Sequence, residues 1–275
     1  MADLEEKMKR RGKGGVMLGK GRVYTLAYAN DVVLIAEEES GLRLLMREFE
    51  LYVREKDLWI NVDKTKVMNF RKKRVKDKEV WSMNGKSVQE VNEFCYLGYW
   101  FKWNGSQDLN VSRRIEKGGK VMKQIWEIRE RRLKNDWRKR IWLFDVLVWS
   151  VISYGVEIWG WREVEKLERM HERFLRWTMG VDENSPGYML REELGREKLV
   201  IRQRRRAMGL EEKLKQGKGS QVAQMCWALV KEGIRRGRKN ISRWERGRRE
   251  AIEEGRRWSG VEGDIKDGCI RKDIQ

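Results

Sequence analysis

Three cysteines, Cys95, Cys226 and Cys269, and a single histidine, His171, are all that this chain of 275 residues offers for sulfur or imidazole chemistry. The cysteines are odd in number and far apart, and no Cys-x-x-Cys or histidine cluster accompanies them. That excludes a disulfide framework and a zinc site, and it predicts a reducing, intracellular compartment, cytoplasmic or nuclear. His171 sits between Met170 and Phe174 in a helical pattern, where a packing or surface role is expected. The N-terminal residues 1–7 lack the apolar core of a signal peptide, so secretion is not expected. Nor is there a long uncharged apolar run. The most apolar stretch, Trp142 to Trp161, contains Asp145 and Glu157 and is broken at Gly155 and Gly160, which predicts a buried soluble helix and no membrane partner.

Charge, in contrast, is abundant. Charged residues make up 38% of the chain and hydrophobic ones 40%, enough of the latter to build a core. Lysine and arginine exceed the acids to give a formal charge of +19 and a pI near 9.9. An excess of this size favours a polyanion, because each phosphate neutralised releases condensed counterions. A well-solvated, highly charged helical surface accounts for the same composition without a partner.

The pattern changes along the chain. Tyr24 to Ala36 consists of two short Val-, Tyr- and Ile-rich runs around an Ala-Asn-Asp tip, which predicts a β-hairpin of Tyr24–Ala27 with Val32–Ala36. Leu42, Leu45, Phe49, Tyr52 and Val53 then recur at helical spacing. Leu58–Val62 and Lys64–Phe70 read as extended segments. The basic stretch Arg71–Lys78 reads as a loop, and Val80–Met83 and Phe94–Trp100 read as strands joined through the turn dipeptide Asn84-Gly85. Beyond Asp108 the period is helical almost throughout: Leu109–Leu133, Trp137–Trp159, Val164–Met179, Pro186–Leu214 and Val222–Ile234. Ser185 before Pro186 is a good helix start. Gly217–Ser220 is the clearest candidate linker, and the tail is expected to form one helix through Trp244 and Ala251, with disorder from about Ser259. The expected fold class is therefore α+β, with a β-containing part ending near Asp108.

Six segments carry a family resemblance. Leu26-Ala27-Tyr28-Ala29-Asn30-Asp31-Val32-Val33-Leu34-Ile35-Ala36 resembles motif C, the Tyr-x-Asp-Asp hairpin of reverse transcriptases, and Ala2–Glu6 resembles the helix before it. Asn61-Val62-Asp63-Lys64-Thr65-Lys66 resembles motif D, and Phe94-Cys95-Tyr96-Leu97-Gly98 resembles motif E, the primer grip. Tyr154–Gly160 and Arg173–Trp177 resemble the helical thumb and connection region. In this order and spacing the chain is similar, over roughly Met1 to Leu214, to the downstream half of a reverse transcriptase from a non-LTR, LINE-type retrotransposon.

That resemblance implies a partial palm with motifs C and D in residues 1–75, a primer-grip β unit in 76–108, a helical thumb and connection in 109–180, and a basic helical extension in 181–275. It implies RNA-directed DNA synthesis as the ancestral reaction, with Mg²⁺ held at Asp31, Lys64 near the nucleotide triphosphate, and Phe94, Tyr96, Leu97 and Gly98 at the primer. The same residues also satisfy a plain strand, and Lys64 is one lysine among many. One carboxylate of the motif is missing, because Asn30 stands in its place. The strand with a further catalytic aspartate, motif A, belongs upstream in that family and has no counterpart here. Two-metal phosphoryl transfer needs several anionic oxygens converging on the cations. The expectation is a truncated, inactive fragment that still binds RNA, DNA or their hybrid. Two other outcomes fit these residues: a polymerase completed by upstream sequence, and a host-recruited helical scaffold.

Three basic runs are the candidates for phosphate contact. Arg129–Arg140 holds seven basic residues, among them Arg131, Arg132, Lys134, Arg138, Lys139 and Arg140. Arg196–Arg206 holds six, including Arg204, Arg205 and Arg206, and Lys231–Arg249 holds nine, including Arg235, Arg236, Arg238 and Lys239. Trp244 lies within the last run and is expected to stack on unpaired bases.

Overall fold

The computed structural model describes residues 3–12, 14–71, 79–132, 136–237 and 241–259. Helix α1 (Leu4–Arg11) leads into two hairpins, β1 (Val16–Leu18) with β2 (Gly21–Val23) and β3 (Thr25–Tyr28) with β4 (Asp31–Leu34). Helix α2 (Glu39–Glu55) follows. Strand β7 (Lys86–Glu90) is then central in a three-stranded sheet, with β5 (Lys66–Val67) parallel on one side and β6 (Trp81–Met83) antiparallel on the other. The last hairpin is β8 (Glu93–Tyr96) with β9 (Tyr99–Lys102).

Two-stranded sheets are marginal on their own, and α2 supplies the missing layer for β3–β4 as it does for the three-stranded sheet. Its Leu45, Tyr52 and Val53 pack with Leu4, Met8 and Tyr24, while Met46 packs with Val62, Val67, Trp81, Met83 and Val88. Tyr52 is fully buried, and its hydroxyl donates to Asp3 Oδ1 at 2.7 Å, with Lys56 Nζ at 2.9 Å from the other carboxylate oxygen. Those two donors hold the Asp3 carboxyl far below the usual carboxylate range, and burial, then Asp3, pushes the Tyr52 phenol up to about 12. Asp3 ties α1 to α2.

Among the described residues every strand lies before Asp108, as the change of period predicts. The helical part comprises α3 (Asp108–Arg132), α4 (Trp137–Leu143), a π-helical turn (Phe144–Val148), α5 (Trp149–Ile152), α6 (Val156–Trp159), α7 (Glu165–Met179), α8 (Gly187–Glu193), α9 (Leu199–Lys215), α10 (Gln221–Arg235) and α11 (Arg243–Ser259). Ile125, Phe144, Val148, Ile152, Leu167, Phe174, Leu175 and Leu199 form its core. Gly118 lets α3 approach α5 closely, since a Cβ there would fall 2.4 Å from Ile152 Cγ2. Among the described residues no helix is long and apolar enough to cross a membrane.

Several sequence expectations need correction. Leu58–Val62 is not a strand: Trp59 is 96% exposed, and Asn61 folds the chain into a turn by accepting from Lys64 N through its side chain and from Thr65 N through its carbonyl. Phe94–Trp100 is not one strand but a hairpin with Leu97-Gly98 at its tip, and Asn84-Gly85 joins β6 to β7 instead. Trp137–Trp159 is interrupted by the π turn and at Gly155, which takes φ +69°. Pro186–Leu214 breaks between α8 and α9, and Pro186 is the N-cap residue, not the first helical one. Gly217–Ser220 is a tight connection in which Ser220 caps α10, and α10 returns to pack on α9 and β1. The expected loop at 72–78 and the expected disorder after Ser259 lie outside the described residues.

Candidate nucleic-acid interface

The β3–β4 register pairs Tyr28 with Asp31, leaving Ala29 and Asn30 as a two-residue turn. Asn30 and Asp31 are both exposed, and Tyr28 stands beside them at 66% exposure. Ala29 takes φ +53°, the left-handed region that glycine enters without a Cβ clash. Ala29→Gly is therefore expected to stabilise the chain by about 1 kcal/mol, read as a raised urea midpoint at unchanged slope. An unchanged or lowered midpoint would show that the turn carries no strain.

The β8–β9 tip is strained in the same sense. Leu97 takes φ +47° and Gly98 φ +77°, the pair of positive values that a type I′ turn demands. A leucine there persists only when its surroundings over-determine it. They do. Tyr154 Oη donates to the Leu97 carbonyl at 2.5 Å, and the Arg114 guanidinium donates to the Gly98 carbonyl. Arg114 also lies 4.2 Å from the Tyr154 ring centroid, and buried Asn110 accepts from Trp100 N at 3.2 Å. Arg114, Asn110 and Tyr154 thus fasten the hairpin to the helical part. The sequence marked Tyr154 only through its segment and gave no signal for Arg114 or Asn110.

Phe94 and Tyr96 are half-buried on β8, while Leu97 and Gly98 are exposed at the turn. Burial raises the Tyr96 phenol pKa, and the charge of Asp31 raises it further. Lys64 is exposed on its own turn, and among the described residues no ion pair joins it to Asp31.

The tip does not fit a pair of Mg²⁺ ions. Asp31 offers one carboxylate, and the neutral Asn30 amide cannot bridge two cations. Among the described residues no three His, Cys, Asp or Glu side chains converge in a way that could hold a metal ion.

The basic runs divide sharply. In Arg196–Arg206 every cation has a carboxylate: Arg196 and Arg202 share Asp145, Lys198 meets Glu163, Arg204 meets Glu254, Arg205 meets Glu197, and Arg206 meets Glu157. Arg202–Asp145, Arg204–Glu254 and Arg206–Glu157 join different helical elements, so they stitch the fold together. Burial works against the charge of Asp145, yet its two arginines outweigh it and hold the carboxyl below its ordinary value.

Arg140 is also no surface residue. It is 4% exposed, and its guanidinium donates to the Thr178 carbonyl at 2.9 Å. Its place in a basic run concealed that it points inward. Arg138 and Lys139 are exposed, with Lys139 paired to Asp136 at 2.9 Å. Arg131 and Arg132 end α3, and Lys134 lies outside the described residues.

Arg235 and Arg236 are exposed near Glu232, whereas Arg238 and Lys239 lie outside the described residues. Trp244 is not available for stacking on bases. Its Nε1 donates to the Glu157 carbonyl at 3.1 Å, and its ring packs edge-on against Trp161 and Trp227.

No family model matches this chain, and neither does any curated protein or solved structure.

Proposed function

We infer that this chain is a fragment of retrotransposon reverse-transcriptase descent, without polymerase activity of its own, that holds RNA, DNA or their hybrid chiefly through phosphates. What supports this reading is the resemblance of the β3–β4 hairpin, with Asn30 and Asp31 exposed at its turn, to motif C and of the β8–β9 hairpin to the primer grip. The formal charge of +19 supplies attraction for a polyanion.

Loss of activity follows from donor chemistry. Asn30 removes an anionic oxygen from the place where two cations would have to be bridged, and the chain contains no counterpart of motif A to compensate. The purified chain should bind a primed RNA or DNA template at low salt, seen by fluorescence anisotropy, and yield no primer extension with Mg²⁺ or Mn²⁺. Asn30→Asp should not restore extension. Template-dependent incorporation by either form would overturn the assignment of inactivity, and absence of binding at low salt would overturn the nucleic-acid role.

A further inference from the structure

Between the β8–β9 hairpin and the α5–α6 corner lies a cleft of about 710 Å³. Aromatic rings wall it: Tyr96, Tyr99 and Phe101 from the hairpin, Trp149 and Tyr154 from the helices. The Arg206 guanidinium and the Glu157 carboxylate stand at its edge, paired to each other, with Arg206 also donating to Ser153 Oγ at 2.7 Å.

The walls are held in place. Arg202 lies 4.3 Å from the Trp149 ring centroid and is itself anchored by Asp145. Tyr154 is fixed by its bond to Leu97, and Tyr99 abuts Gly155, where a Cβ would fall 3.0 Å from its ring. Burial pushes the Tyr99 phenol up to about 12, so it stays a neutral wall at any ordinary pH. The strained Leu97 turn closes one end.

We propose that this cleft takes an unpaired base of a single-stranded nucleic acid, stacked on the aromatic walls with its edge toward Arg206 and Glu157. The proposal rests on the nucleic-acid reading above and adds a strand preference to it. The volume suits one planar ring system with its sugar. Aromatic faces stack on any base, so the preference is for single strands and not for sequence. A guanidinium beside a carboxylate presents donors and an acceptor in one place, which a base edge can use and a hydrocarbon cannot. Bases within a duplex have both faces occupied and cannot enter without unstacking.

The test uses the full chain and two probes, a blunt duplex and the same duplex carrying a single-stranded overhang with a fluorescent adenine analogue. With the unaltered chain, the analogue's emission should fall on binding when it sits in the overhang and stay constant when it is buried in the duplex. Phe101→Leu keeps the cleft apolar but removes a stacking face, at a residue outside the segment that resembles the primer grip. It should weaken overhang binding about tenfold, leave the blunt duplex unchanged, and leave the salt dependence unchanged. Unchanged emission, or an equal loss for both probes, would overturn the cleft while leaving phosphate binding intact. Failure of the unaltered chain to bind either probe at low salt would overturn the nucleic-acid reading, and the cleft with it.

Discussion

Raising salt from about 50 to about 200 mM is expected to weaken binding of RNA or DNA on the order of a thousandfold, for contact with about six phosphates. The cations able to deliver that slope are not the ones that look densest in the sequence. Arg196, Lys198, Arg202, Arg204 and Arg206 are committed to carboxylates on other elements, so they release few counterions on binding. Among the described residues Arg235 and Arg236 pair with neighbouring Glu232 on an exposed helix end, an arrangement of little energetic worth that phosphate can displace. Replacing Arg235, Arg236, Arg238 and Lys239 with Gln should therefore lower affinity and flatten the salt slope by up to about four contacts' worth. Replacing Arg202 and Arg204 should instead lower thermal stability first. Anisotropy titrations over a salt series separate the two, and binding insensitive to salt and to the four replacements would leave only a solvated basic surface.

The division between strands and helices near Asp108 was legible because two-residue and helical periods are each repeated many times on their own side of it. The β3–β4 hairpin was legible for the same reason, with a polar tip between apolar runs. Leu58–Val62 misled because apolar residues of high strand propensity look alike whether buried or exposed, and Asn61 decided the matter locally by bonding back to the chain. The β1–β2 hairpin leaves no mark in the sequence, since its three-residue strands are too short to show a period. Charge was the least legible quantity. A run such as Arg196–Arg206 has the same sequence whether its arginines face phosphate or the carboxylates of Asp145, Glu157 and Glu254, which come from distant segments. Trp244 is a parallel case, expected outside and found against Trp161 and Trp227.

Two of those paired arginines also bear on the one histidine. His171 is 1% exposed on α7, its ring 4.9 Å from that of Phe144, and neither ring nitrogen has a hydrogen-bond partner among the described residues. Burial above all, helped by Arg196 and Arg202 against a smaller opposing pull from Asp145, lowers its pKa from 6.5 to about 3. The folded chain therefore keeps a neutral imidazole where the unfolded chain takes up a proton.

Acid should then destabilise the fold through this residue in a defined window. Above pH 6.5 neither state holds the proton and His171 costs nothing electrostatically; as pH falls from 6.5 toward 3, only the unfolded state gains it. The loss should reach about 2 kcal/mol near pH 5 and grow by about 1.4 kcal/mol for each further unit until the folded state protonates. His171→Phe keeps a planar ring against Phe144 and removes two buried polar atoms without partners, so it should be neutral or mildly stabilising at pH 7. Its advantage over the unaltered chain should widen steadily on acidification, because carboxylates elsewhere titrate alike in both and cancel in the difference. Urea unfolding at a series of pH values measures that difference directly, with His171→Leu as a second variant should the phenyl ring overpack. A difference that stays constant between pH 7 and pH 4 in both variants would mean that the imidazole is protonated in the folded chain, and hence that the ring is not held dry beside the arginines of the Asp145 cluster.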